Sequence, residues 1–97
     1  MKVSVEKESN LLKVFINNKL HIRLSLDKVI HLHSYKDTND LNTPFKIDIY
    51  LIQSDNLLLN YSKKEHWEQI LLILNQHIWV FSKYIKIFLK NIDLNTW

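Results

Sequence analysis

The chain has no glycine in its 97 residues. Glycine is the usual residue at positive φ and wherever backbone must approach a phosphate. Without it the chain has no phosphate-cradling loop, no dinucleotide-binding turn and no nucleophile elbow. Turns that need the left-handed region fall instead to asparagine and aspartate, whose short polar side chains tolerate it. Ser9-Asn10, Asn17-Asn18 and Ser54-Asp55-Asn56 are the expected sites. Cysteine is also absent, which removes disulfides, thiolate zinc sites and cysteine nucleophiles.

Between these turns the apolar residues repeat every second position. Leu12, Val14 and Ile16 alternate with polar or aromatic neighbours. Leu20, Ile22, Leu24 and Leu26 alternate with His21, Arg23, Ser25 and Asp27. Strict alternation of this kind marks half-buried strands, and Asn17-Asn18 between them suits a tight hairpin. A further strand is expected at 29–35, with Ile30 and Leu32 on one face and His31 and His33 on the other. Residues 36–44 are polar, hold the one proline, Pro44, and read as the longest loop. Phe45, Ile47, Ile49 and Leu51 alternate again, and 56–61 is a last short strand. With residues 2–7 this makes about six strands over 2–61, joined by short turns as an antiparallel meander. One face of it is apolar and needs a cover.

Residues 63–92 supply that cover as one long amphipathic helix. Ser62-Lys63-Lys64-Glu65 matches a capping box, in which serine and glutamate each satisfy a free N–H of the first turn. On a helical wheel Trp67, Ile70, Leu71, Leu74, Ile78, Phe81, Ile85, Phe88 and Ile92 share an arc of about 100°. The phase carries through Asn75-Gln76-His77, which argues for one helix over two. Its length, about 45 Å at 1.5 Å per residue, exceeds a strand of about seven residues. Ile73, Val80, Tyr84 and Ile87 lie beside the main stripe and widen the apolar surface. The expected fold class is therefore α+β: an antiparallel meander followed by one C-terminal helix, in a single domain over 1–97. In topology alone this resembles the pleckstrin-homology-like layout, and no motif and no function come with that resemblance.

Composition narrows the classes of function. The apolar share is 46% and the charged share 24%, which places the chain among globular proteins. Met1-Lys2 leads into an alternating, charged segment with no apolar signal region, so a cytoplasmic location is expected. Asn75, Gln76, His77, Lys83 and Lys86 interrupt the helix, so no run of about 20 apolar residues spans a membrane. The net charge is +3, carried almost wholly by lysine, with Arg23 the one arginine. Abundant lysine, asparagine and isoleucine read as the mark of an AT-rich coding sequence, as in a low-GC bacterium or its phages. Mutational bias then accounts for part of the basicity, which weakens a nucleic-acid inference from charge.

Candidate chemistry is sparse. His31-x-His33 sets two imidazoles about 7 Å apart on one side of a strand. His21 from a neighbouring strand would make a weak three-histidine metal candidate, though histidines on a polar strand face are usually solvated side chains. Asp37-Thr38-Asn39-Asp40 lacks the glycine and glutamate of a calcium loop and reads as a turn. Carboxylates are scattered, so no enzyme and no cofactor are expected. Lys13, Phe15, Arg23, Lys46 and Tyr50 on the polar strand faces make an alternative nucleic-acid surface of interleaved cations and rings. The preferred expectation is a small non-enzymatic protein-binding module of the inhibitor or immunity type. It would pair with a second copy through Ile73, Val80, Phe81, Tyr84, Ile87 and Phe88 of the helix.

Overall fold

The computed structural model describes the backbone of residues 1–90 and the side chains of residues 1–78. The strands are β1 (Val3–Glu8), β2 (Leu11–Ile16), β3 (Lys19–Ser25), β4 (Val29–Lys36), β5 (Phe45–Leu51) and β6 (Leu57–Tyr61). The helix α1 follows at Lys64–Lys90. All strand pairs are antiparallel and sequential, as the meander requires. They form two three-stranded sheets, β1-β2-β3 and β4-β5-β6. The break falls at a single 3₁₀ turn, Leu26–Lys28, whose Leu26 is fully buried. Backbone bonds pin this corner on both sides. Leu26 N–H donates to Asn10 at 2.8 Å, and Ile52 N–H donates to Lys28 at 2.8 Å.

The glycine-free turns use the left-handed region at Ser9, Asn17, Asn18 and Gln53. Asn17 and Asn18 have φ of 50° and 67° between the paired residues Ile16 and Lys19. Positive φ at both central residues is the primed hairpin turn that matches strand twist. Asn17 also ties down the N-terminus, its N–H donating to Lys2 O and its Oδ1 accepting from Lys2 N–H. At the other two turns the left-handed residue is not the asparagine or aspartate expected. Ser9 takes it instead of Asn10, and Gln53 instead of Ser54-Asp55-Asn56.

Leu12, Val14, Ile22 and Leu24 of the first sheet face Ile47, Ile49, Leu59 and Tyr61 of the second across one core. Two β-bulges alter the expected alternation. In β3, Ile22 pairs with Val14 and Leu20 with Phe15, so His21 is an extra residue. Leu20, expected on the inner face, is thereby 53% exposed. In β4, Val29 pairs with Leu51 and His31 with Tyr50, so Ile30 is extra. Val29 is buried and Ile30 exposed, the reverse of the simple pattern. A bulge kinks its strand and re-aims the side chains around it.

The helix passes unbroken through Asn75-Gln76-His77. Ile70, Leu74 and Ile78 are buried in the core, and Trp67 and Leu71 pack at its margin. Each fully buried aliphatic side chain contributes about 1.5–3 kcal/mol relative to exposure. The start differs from the capping box. The first helical carbonyl is that of Lys63, accepting from Trp67 N–H at 3.2 Å, so Ser62 stands one residue too early. Neither Ser62 nor Glu65 makes a side-chain capping bond among the described residues. Trp67 anchors the first turn instead: its Nε1–H donates to the Lys46 carbonyl at 3.0 Å, and its ring lies 5.4 Å from Phe45. Ile73, assigned above to a partner face, packs against the chain's own core. Val80, Phe81, Tyr84, Ile87 and Phe88 lie outside the described side chains.

Candidate functional site

The outer face of the β4-β5-β6 sheet collects most of the chemistry-bearing side chains. Ile47 and Ile49 face the core, so Lys46, Asp48 and Tyr50 point away from it. Register sets His31 across from Tyr50, His33 across from Asp48 and Tyr35 across from Lys46. On the other side of β5, Leu58 stands across from Asp48 and Asn60 across from Lys46.

The rings form a continuous row. Tyr50 and His31 have centroids 5.6 Å apart, His31 and His33 6.4 Å, and His33 and Tyr35 4.9 Å. Asp48 lies beside this row. Its Oδ1 is buried and accepts no hydrogen bond. A buried polar atom without a partner keeps its full desolvation penalty, so it marks a place where a donor is missing. The charge of Asp48 also raises the pKa of the Tyr50 phenol, with burial adding to the effect. His31 is held below the ordinary imidazole pKa, first by burial and then by His33, while Asp48 opposes both.

The lower end of the same face is closed by the 37–44 loop. Asp37 N–H donates to Pro44 O at 2.7 Å and shuts the loop at its base. Asp37 Oδ1 accepts from Asn39 N–H, and Asp40 Oδ1 accepts from the N–H groups of Asn42 and Thr43. Asp40 Oδ2 accepts from Thr43 Oγ1–H and from the Lys46 ammonium. Lys46 donates further to Asn60 Oδ1 at 2.8 Å. The Lys46 bond, with Thr43 assisting, holds the Asp40 carboxyl well below the usual carboxylate range. Lys46 is buried, and this bridge accounts for how its charge is tolerated there.

The nucleic-acid surface does not assemble as expected. Lys13, Phe15 and Arg23 lie on the outer face of the first sheet, with Lys13 paired to Arg23 and also to Glu6. Tyr50 is on the other sheet, and Lys46 is buried and neutralised by Asp40. The histidines divide likewise. His21, re-aimed at its bulge, bonds Tyr61 Oη through Nε2 at 2.7 Å, joining the two sheets. Burial lowers the pKa of His21 and raises that of Tyr61, so both stay neutral around this bond at neutral pH. Among the described residues no three ligating side chains form a metal-holding group. His66 and His77 are half-buried at the margins of the helix face.

The unsatisfied Oδ1 of Asp48, the Lys46–Asp40 bridge and the His21–Tyr61 bond were not foreseen from sequence. Alternation placed Asp48 and Tyr50 on an outer face, but the cross-strand register that joins them to His31 and His33 has no local signal.

Comparison with known proteins finds no family model, no characterised relative and no solved structure that matches this chain. The fold defines its class: an α+β chain of two three-stranded antiparallel sheets with one C-terminal helix. Among the described residues no helix is long and apolar enough to cross a membrane.

Proposed function

We propose that this chain is a small non-enzymatic binding protein that acts by contact with protein, and that it pairs with a second copy through its C-terminal helix. One observation carries the reading. The helix continues to Lys90, roughly 18 Å of rise beyond Ile78, and in 79–90 only Ser82, Lys83, Lys86 and Lys90 are not apolar. A helix apolar around most of its circumference needs cover on more than one side. The packing of Ile73 against the chain's own core narrows the proposed interface to Val80, Phe81, Tyr84, Ile87 and Phe88. The inhibitor or immunity type of protein fits the small size, and remains part of the same proposal.

Sedimentation velocity on the full chain tests it. The expected result is a dimer mass at high micromolar concentration, reverting to monomer in a Val80→Glu/Ile87→Glu variant with unchanged far-UV circular dichroism. A strictly monomeric mass, with the amides of Val80 and Ile87 exchanging freely, would overturn the proposal.

A further inference from the structure

We propose that the outer face of the β4-β5-β6 sheet receives an arginine side chain from a partner protein, stacked on the rings of His31, His33 and Tyr50 and bonded to Asp48. This deepens the protein-binding reading by naming a contact face and its chemistry. It uses nothing of the C-terminal helix.

Charge selects a cation. Lys46 is the only lysine or arginine among the outward residues of β4 and β5, and Asp40 already neutralises it. Asp48 has no ion-pair partner among the described residues. Its buried Oδ1 lacks a donor. The face therefore presents a carboxylate that meets the Tyr50 hydroxyl but no cation among the described residues, beside a row of π surfaces, and both attract cations. His33 is exposed and directly across from Asp48, so a ring beside the carboxylate is open to solvent.

Geometry selects guanidinium over the alternatives. A planar guanidinium stacks on rings while its N–H groups donate sideways to a carboxylate, which an ammonium cannot do. Leu58, 48% exposed and across from Asp48 on the far side, offers apolar surface for the methylene stem. Nucleic acid would need cations for its phosphates, and the one lysine here is already neutralised. A metal ion would need converging ligands, and no group of three is present among the described residues.

The probe is N-acetylarginine amide, titrated into the full chain and followed by the ring-proton resonances of His31, His33 and Tyr50. N-acetylcitrulline amide is the uncharged control of the same shape. The expected result is a saturable shift at millimolar arginine amide and a several-fold weaker response to citrulline. Asp48→Asn should abolish the shift. Tyr50→Leu should weaken it several-fold, which keeps the test open if Asp48→Asn fails to fold. No response, an equal response to citrulline, or a full response in folded Asp48→Asn overturns the proposal. So does saturable binding of an oligothymidylate or of zinc at these rings without any response to arginine. Repeating the titration on Val80→Glu/Ile87→Glu separates the two readings: an intact arginine response there leaves this site standing even if helix pairing fails.

Discussion

Replacing Gln53 by glycine should make the protein more stable, and the size of the gain follows from its backbone. Gln53 has a φ of 55° in the turn after β5. A residue with a Cβ loses roughly 1–2 kcal/mol in that region relative to its right-handed conformation. Glycine removes this penalty but adds about 0.5–1 kcal/mol of unfolded-chain entropy to be lost on folding. The net expectation is a stabilisation of ~0.5–1 kcal/mol. For a domain of this size that raises Tm by roughly 2–8 °C. In urea, with an m near 1 kcal/mol/M, the midpoint should rise by about 0.5–1 M. The side chain of Gln53 is exposed, so no packing is lost with it. Gln53→Ala retains the Cβ and should give no gain. Asn18→Gly should gain less than Gln53→Gly, because asparagine already tolerates φ of 67°. A loss of stability in Gln53→Gly, or equal gains in the glycine and alanine variants, would refute the reasoning.

Other perturbations report on the core, the sheet junction and the loop clamp. Leu74→Ala, at a fully buried position, should cost about 2–5 kcal/mol by urea unfolding, whereas Leu72→Ala, at an exposed one, should stay within about 0.5 kcal/mol. Tyr61→Phe removes the hydroxyl that meets His21 and should cost about 1 kcal/mol, with a near-native circular dichroism spectrum. Stability should fall in two stages on acidification, since every shift that matters favours the deprotonated form in the fold. The His21 and His31 contributions are present above about pH 6.5 and are lost as pH falls below it. The Asp40 contribution is present above about pH 4 and is lost progressively below that, as protons compete with Lys46. His21→Gln should flatten the first stage and Asp40→Asn the second, read as urea midpoint against pH.

How far the sequence discloses such a chain depends on whether a feature is set within one strand or between strands. Alternation in Phe45, Ile47, Ile49 and Leu51 identifies β5 and its inner face because burial acts on every second residue. The same rule misplaces Leu20, since the bulge at His21 shifts the phase without leaving any mark in the run of leucines and isoleucines. It also hides the division into two sheets, because Leu26 keeps the alternation while its backbone has already turned into the 3₁₀ corner. The 37–44 loop is legible as a turn from its composition, but its closure over Lys46 depends on hydrogen bonds made only once β4 and β5 are aligned. The ring row is the sharpest case. His31 and His33 share a face by simple pleating, yet Tyr50 and Asp48 join them only through the β4–β5 register. A slip of one residue would set Ile49 across from His33 and turn the buried Ile47 and Ile49 to the outside. The core forbids that slip. The candidate site on the outer face is thus positioned by apolar residues on the inner face, none of which belongs to it.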